Sequence, residues 1–405
     1  MPKPQREFLE SIDQGVEAAQ SVVLRYRHAV RFDADDERNE LFKSSVSKTS
    51  LREGLRIVPL MRYRGVSIEV LDECSWMASG TLKSIDGCIA AAWSLTDGFR
   101  RCVFESGGNT GSALTGYGAK ANLETYFLVP TENVDLLDSG IFERGNAHLI
   151  AVDDPAEVKN SAARLAKLEG LRRIPEAGWR FQASTLIGCF LAEYLISNPG
   201  YDYVIQSISA AFGPIGIYKI LAKYRGEDTP LPRFVGIQQA ANCPMVRAWR
   251  GENRRSVESI RSTSKLLTRV MYDSEPHTYG TFQQLHRLLN ETGGHLDTID
   301  HDEFFSRLES DVEGGSLLDH LESSGICIGL RQGEVIEKAG LIALIGALKQ
   351  IDRGLISSGT RLLVCLTGGT ANPDGLAIPD YQISSADEID SIVARPSAQV
   401  QGSHG

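Results

Sequence analysis

The stretch S-G-T-L-K, from Ser79 to Lys83, is followed one helix-like and one strand-like segment later by E-S-G-G-N-T-G, from Glu105 to Gly111. A lysine at the point where a loop enters a helix can form an imine with an aldehyde cofactor. A glycine-rich turn between a strand and a helix can present backbone N–H groups and one amide side chain to a ligand. Together these two stretches predict a ligand site built on strand-to-helix loops.

Two later loops have the same character. The loop S-A-A-F-G-P-I-G, residues 209–216, follows a strand-like segment and precedes a helix. The free amides and the dipole of a helix N-terminus suit a phosphate monoester, which indicates this loop as a phosphate site. The residues predicted to contact that phosphate are Ala211, Phe212, Gly213, Pro214, Ile215 and Gly216.

The loop T-G-G-T, residues 367–370, closes the strand-like run R-L-L-V-C-L. Thr367 therefore stands at the carboxyl end of a strand, where open α/β sheets bind their ligands. A hydroxyl group there could contact a pyridine nitrogen without holding it firmly protonated, which favours elimination and replacement chemistry over transamination.

These loops together suggest pyridoxal phosphate (PLP) as the cofactor. Lys83 is then the imine partner and the group that moves a proton at the substrate Cα. Asn109 is predicted to contact the ring oxygen O3′, and Thr367 the pyridine nitrogen N1. The residues predicted to bind substrate are Ser79, Thr81, Ser106, Gly107 and Thr110. Taken singly, these features have ordinary explanations: a solvated lysine, a capped helix N-terminus or a strand-end turn. The prediction therefore depends on the order in which the four loops occur.

The pattern around these loops alternates between strands and helices. Segments 66–71, 101–104, 124–129, 147–152, 203–208, 233–238 and 361–366 are strand-like, and apolar helical periodicity lies between them. This alternation predicts an α/β fold with a mostly parallel sheet covered by helices. Residues 1–50 are predicted to be a helical or partly mobile extension, and 293–303 a turn-rich connection.

Composition narrows the class of protein. A chain of 405 residues is expected to split into two domains. Its 42 basic and 52 acidic residues give a net charge of −10, which disfavours nucleic-acid binding. Seven scattered cysteines without a C-x-x-C pair suggest reduced core thiols, no metal site and a cytoplasmic location. The N-terminus lacks the apolar region of a signal peptide, and no apolar run is long enough to span a membrane.

The order of the four loops resembles that of the tryptophan-synthase-β-like, or fold type II, PLP enzymes. Within them the chain is most similar to threonine synthase and cysteate synthase. A-S-G-T-L-K resembles the P-T-G-S-F-K of threonine synthases, S-G-G-N-T-G resembles S-S-G-N-T-G, and L-L-V-C-L-T-G resembles V-V-C-L-L-T-G. E-K-A-G, residues 337–340, resembles the family's E-P-A-G. Ala211 and Pro214 depart from a phosphate loop that is richer in glycine, and Ser84 replaces the usual Asp.

The resemblance implies two three-layer α/β domains with the cofactor in the cleft between them. Residues 1–86 and 199–384 would form the large PLP-binding domain with its N-terminal extension, 87–198 the small domain, and 385–405 a disordered tail. It also implies a homodimer that acts on a small amino acid.

The implied activity is elimination or replacement on an activated amino acid of the O-phosphohomoserine, O-phosphoserine or O-acyl-serine type. A serine/threonine dehydratase-type deaminase and a non-catalytic ligand-binding protein of the same fold are the alternatives. Basic residues considered for a substrate phosphate are Arg62, Arg64, Lys120, Arg247 and Arg250.

Overall fold

The computed structural model describes residues 3–143, 146–174, 177–225, 229–252, 266–272, 281–327, 330–331, 334–335, 338–368 and 375–393. Strands and helices alternate along them, as the sequence pattern predicts. The strands are β1 (Arg56–Tyr63), β2 (Val66–Asp72), β3 (Arg101–Glu105), β4 (Glu124–Pro130), β5 (Ala147–Val152), β6 (Arg172–Arg173), β7 (Tyr203–Ser207), β8 (Arg233–Gln239), β9 (His295–Ile299), β10 (Leu330–Arg331), β11 (Glu334–Val335), β12 (Arg361–Leu366) and β13 (Tyr381–Ile383).

The helices cover both faces of the sheets. They are α1 (Lys3–Glu10), α2 (Val22–Tyr26), α3 (Asp36–Thr49), α4 (Lys83–Thr96), α5 (Asn109–Lys120), α6 (Val158–Glu169), α7 (Ala177–Ser197), α8 (Phe212–Tyr224), α9 (Pro244–Trp249), α10 (Thr281–Thr292), α11 (His301–Glu309), α12 (Leu317–Ser323), α13 (Ala339–Asp352) and α14 (Ile389–Val393). Among the described residues, no helix is both long enough and apolar enough to cross a membrane.

The larger sheet has the strand order β1-β2-β12-β7-β8-β9. Its strands run parallel except for β1, which is antiparallel to β2. The β1–β2 turn consists of Arg64 and Gly65, whose φ angles of 46° and 80° are the left-handed values that a two-residue hairpin turn needs. On one face, α13 buries an almost continuous apolar surface against the strands, which explains why its sequence is apolar all round.

The smaller sheet has the order β13-β5-β4-β3-β6 and is parallel throughout. Its edge strand β13 comes from the C-terminal part of the chain, within the range 199–384 assigned to the large domain. The following helix α14 is also held to this unit, because Arg164 of α6 forms ion pairs with Asp387 and Asp390. The start of the predicted tail, up to Val393, is therefore helical, whereas 394–405 lie outside the described residues.

Three local features can be compared with the sequence expectations. The turn-rich connection predicted at 293–303 is wrong, because it contains β9 and the start of α11. The N-terminal extension is helical, and its aromatic residues Phe8, Tyr26 and Phe42 are fully buried in the main core. Strand β1 has no counterpart in the sequence prediction, since its R-I-V-P-L-M-R-Y contains a proline and two arginines.

Helices α7 and α8 approach each other closely because small residues face the contact. A Cβ built on Gly216 would overlap the Ser184 hydroxyl and lie 3.0 Å from the Ser184 backbone carbonyl carbon. We expect Gly216→Ala to lower the free energy of unfolding by about 1–3 kcal/mol, the usual cost of overpacking. Denaturant unfolding measures this change. Gly178→Ala in α7 is the matched control: its added Cβ meets nothing within 4 Å, so stability should be unchanged or slightly higher.

Candidate functional site

One cavity is lined by residues that follow strands of both sheets. Ser106 follows β3 of the smaller sheet, and Thr367 follows β12 of the larger one. The predicted site residues that line it are Lys83, Ser106, Asn109, Thr110, Ala211, Phe212, Gly213, Pro214 and Thr367. Because carboxyl ends of parallel strands meet at one edge of a sheet, residues far apart in sequence converge there.

Lys83 is the first residue of α4, and its position depends on its neighbours in the lysine loop. The Leu82 N–H donates to the Thr367 carbonyl at 3.1 Å, which joins the start of α4 to the end of β12. The Lys83 N–H donates to the Thr81 hydroxyl at 3.2 Å. The Ser79 N–H donates to the Ser84 hydroxyl at 2.9 Å. The loop therefore holds the lysine backbone through hydroxyl groups instead of a carboxylate.

The Lys83 amine already has an anionic partner in the structure. Its Nζ lies 3.0 Å from Asp86 Oδ2, one helical turn along α4. The Asp86 side chain is only 4% exposed, so the ion pair is largely shielded from water. The residue directly after the lysine is Ser84, and the carboxylate near the amine comes from Asp86, one turn further along α4.

Asn109 begins α5, directly after a glycine in an unusual conformation. Gly108 has φ 150° and ψ −88°, and its N–H donates to the Ser106 hydroxyl at 3.1 Å. The Asn133 side chain donates to the Gly107 carbonyl at 2.9 Å, which ties the loop to the segment after β4. These contacts present Asn109 and Thr110 at the helix N-terminus, facing the cavity.

The loop before α8 forms the opposite wall. Ala211 adopts the left-handed conformation with φ 60°, and Phe212, Gly213 and Pro214 are the first three helical residues. Pro214 has no N–H, so this N-terminus offers one donor fewer than an ordinary first turn. Phe212 and Gly213 are the non-proline residues of this first turn that line the cavity.

Thr367 lies beside a second strand-end hydroxyl. Its Oγ1 is 3.4 Å from the Ser207 Oγ at the end of the neighbouring strand β7, and Thr367 is 8% exposed. The two hydroxyl groups thus form a polar floor under the cavity. Gly369 and Thr370 of the same loop, and Glu337 of E-K-A-G, lie outside the described residues.

Five predicted residues do not line this cavity. Ser79 and Thr81 contact each other and Ser84 behind Lys83, and so shape the lysine loop. Gly107 carries the carbonyl that Asn133 binds. Ile215 and Gly216 line a separate cavity between α7 and α8. Sequence reasoning could not separate these positions from the lining residues, because it predicts loops and not the direction in which each residue points.

The basic residues considered for a substrate phosphate all lie elsewhere. Arg62 and Lys120 are exposed, Arg64 pairs with Asp352, Arg247 with Glu252, and Arg250 with Asp297. The arginine that does line the cavity is Arg180 of α7, whose guanidinium carbon lies 5.7 Å from the Phe212 ring centroid. No sequence motif marks Arg180, because it reaches the site through the packing of α7 on α8.

Two comparisons with known proteins agree with this geometry. The chain is 23% identical over 317 residues to a threonine synthase from Methanosarcina acetivorans, a match that covers 75% of this chain and 70% of that protein. It is 24% identical over 311 residues to a cysteate synthase from Methanospirillum hungatei, covering 72% and 68% respectively. No family model matches the chain.

Solved structures extend the likeness over most of the fold. A diaminopropionate ammonia lyase from Escherichia coli superposes with a TM-score of 0.59 at 12% identity, covering 88% of this chain and 92% of that one. An O-ureido-L-serine synthase gives 0.54 at 16% identity, covering 80% and 91%. This is the fold of the fold type II PLP enzymes. The comparisons confirm the predicted fold and family resemblance, and with them the prediction of a PLP-dependent enzyme.

The residues around the cavity fit the cofactor of the fold type II enzymes. They supply an amine for the aldehyde, an amide for the ring oxygen, a helix N-terminus for the phosphate and a hydroxyl for the ring nitrogen. A Cβ on Gly213 would lie 2.8 Å from the Gln206 side-chain nitrogen, so the missing side chain keeps the first turn of α8 open. The Gln206 Oε1 is buried without a hydrogen-bond partner in the described residues, which leaves an acceptor at the same wall.

Proposed function

We propose that this PLP-dependent enzyme removes a leaving group from the side chain of an activated amino acid and, in replacement turnover, adds a nucleophile in its place. The observation that carries the proposal is the meeting of Lys83, Asn109, the α8 N-terminus and Thr367 at one cavity. When bound, PLP supplies an electron sink that makes the substrate Cα proton removable.

Lys83 would hold the cofactor covalently through its amine and later move the proton at Cα. Such acid–base catalysis typically contributes about 10²–10⁴-fold to a rate. Asp86, which contacts the amine at 3.0 Å, would stabilise the protonated lysine after it has been released. Because Asp86 is buried, that stabilisation would persist at moderate salt.

The other lining residues would bind and orient. Asn109 would donate to the ring oxygen, and the Phe212 and Gly213 amides would bind the phosphate with the α8 dipole. Ser106 and Thr110 lie at the α5 N-terminus, where their hydroxyls and the helix dipole suit the substrate carboxylate. Thr367 would contact the ring nitrogen as a neutral group, which supports elimination and replacement over transamination.

We propose an anionic leaving group, as in O-phosphoserine or O-phosphohomoserine, ahead of an O-acyl-serine. Arg180 supports this choice, because it brings a guanidinium to the cavity beside the phosphate loop. The similarity to a threonine synthase and a cysteate synthase is compatible with either phosphorylated substrate.

The test is to mix the PLP-loaded protein in turn with O-phosphoserine, O-phosphohomoserine, O-acetylserine, L-serine and L-threonine. Cofactor absorbance and released phosphate, acetate or ammonia identify the substrate that reacts. Turnover of a phosphorylated amino acid supports the proposal. Turnover of only L-serine or L-threonine would instead establish the dehydratase-type alternative.

Arg180→Gln is expected to raise KM for the reacting phosphorylated substrate by about 10–100-fold, because a charge-assisted hydrogen bond contributes roughly 1.5–3 kcal/mol. Lysine at the same position should restore part of the affinity, since it keeps the charge but loses the fork geometry. Steady-state kinetics and a parallel PLP titration provide the measurement. An unchanged KM together with weakened PLP binding would place Arg180 on the cofactor phosphate instead.

We further propose the two-domain division, with 87–198 as the small domain. Strand β13 pairs with β5, so 381–393 would accompany this domain and not the large one. Homodimeric assembly and a cytoplasmic location stay predictions.

A further inference from the structure

Glu73 is a fully buried carboxyl group that has no hydrogen-bonding partner among the described residues. Its side chain is 0% exposed, and neither Oε1 nor Oε2 accepts a hydrogen bond from any described residue. Other buried carboxylates are satisfied: Glu53, for example, accepts from Ser50 and Tyr117, both at 2.6 Å. Leaving a charged carboxylate unpaired in a protein interior is costly, so such a group needs a reason beyond packing.

The strand register places Glu73 beside the lysine site. Asp72 pairs with Leu366, and the Glu73 N–H donates to the Leu366 carbonyl at 3.1 Å, so Glu73 continues β2 alongside Thr367. The same Thr367 accepts from Leu82, the residue before Lys83. The backbone at Glu73, the strand-end threonine and the start of α4 therefore lie next to one another.

Among the described residues, the charged and titratable groups that interact electrostatically with Glu73 lie on α4, β2 and β12. Lys83 of α4 and Asp72 of β2 act on it electrostatically, and Glu73 in turn acts on the Cys365 thiol of β12. Lys83 is the cation among them, and its amine contacts Asp86. Glu73 is thus a second carboxyl group within electrostatic reach of the reactive amine.

We propose that Glu73 is a positioning residue whose proton controls how much of Lys83 is present as a neutral amine. This rests on the proposed role of Lys83. While Glu73 is neutral, Asp86 is the carboxylate that balances the lysine. When Glu73 releases its proton to solvent, a second negative charge faces Lys83 and favours the ammonium form. An ammonium neither attacks the cofactor aldehyde nor removes a Cα proton, so reactivity falls.

The sign of the expected pH effect follows from burial, which raises the pKa of Glu73 to about 8. In the unfolded chain a glutamate titrates near about 4.3. Between these values the folded state binds more protons than the unfolded state, so the contribution of Glu73 to stability falls as pH rises through this window. A glutamine at position 73 cannot titrate, so the variant should not lose stability in this way as pH rises.

Two measurements on Glu73→Gln test the proposal. The melting temperature of the variant relative to wild type is expected to rise as pH increases from about 5 to about 8. The rate at which the apoprotein captures PLP should level off above about pH 8 in wild type and continue to rise in the variant. Asp297→Asn is the control, because it also alters a buried carboxyl but on β9, the far edge strand of the larger sheet, and its PLP-capture profile should match wild type.

A parallel pH dependence of wild type and Glu73→Gln in both measurements would overturn the proposal. If the variant does not fold, infrared difference spectra of the wild type test whether Glu73 is protonated: the band of a protonated carboxyl group must vanish between about pH 6 and about pH 10. If no such band is present at the lower pH, the proposal is also wrong. If the cofactor is not found on Lys83, the proposed function is wrong. The melting and infrared measurements report only on the protonation of Glu73, so they can be interpreted whether or not Lys83 carries the cofactor.

Discussion

Replacing Lys83 by alanine is expected to reduce turnover by at least about 10²–10⁴-fold, because the variant loses both the covalent hold on the cofactor and the group that moves the Cα proton. The fold should survive. Lys83 is the first residue of α4, its side chain is 28% exposed, and alanine is a good helix former. Asp86 would then be a buried carboxylate without its cation, so we expect a measurable loss of stability, which thermal unfolding of the variant reports.

Borohydride reduction followed by digestion and mass spectrometry locates the cofactor. We expect the pyridoxyl group on Lys83 in wild type and no label on that peptide in the variant. Lys120→Ala is the matched control, since Lys120 ends α5 on the exposed surface. Label on any other lysine in wild type would refute the assignment of Lys83.

Replacing Thr367 by aspartate should retain PLP but lower replacement turnover by about 10²-fold, equivalent to roughly 2.7 kcal/mol of transition-state stabilisation. A carboxylate opposite the ring nitrogen would favour its protonated form and strengthen the electron sink. Transamination side product should then rise. The new charge would also stand beside the buried Glu73, which makes asparagine the necessary control for size without charge.

Serine, alanine and valine at position 367 complete the series. The serine variant retains the hydroxyl, which lies 3.4 Å from the Ser207 Oγ in the wild type, so its turnover should fall only slightly. Alanine and valine both lack it, and valine keeps the shape. Product ratios and cofactor absorbance compare the variants. If the aspartate variant has the turnover of the wild type, or if the serine variant loses as much turnover as the alanine variant, Thr367 is not the group at the ring nitrogen.

Much of the fold was predictable, because local patterns reflect local physics. The apolar runs 147–152 and 361–366 correspond to strands β5 and β12 without adjustment. Both are buried in parallel sheets, where continuous apolar sequence is required. Strand β9 was missed because H-L-D-T-I is short and polar, and it is strand only through pairing with β8. Edge strand β13 depends in the same way on β5.

The residues of the candidate site also fall into those that the sequence indicates and those that it does not. Lys83, Asn109 and Thr367 were predictable because each stands at a strand-to-helix or strand-end junction that glycine and small polar residues mark in the sequence. Arg180 has no such mark: it lies inside a helix and reaches the cavity because α7 and α8 pack closely through small residues. Its role depends on a contact between helices that no local pattern encodes.

By itself, the sequence determined the order of the four loops, the α/β class and the chemical types of group available for catalysis. Only the tertiary structure decided which groups meet. The helical repeat of α4 brings the Asp86 carboxylate into contact with the Lys83 amine. The register of β2 against β12 places Glu73 where it is buried. Proton affinity depends on burial and on the distance to other charges, and both are properties of the packed molecule.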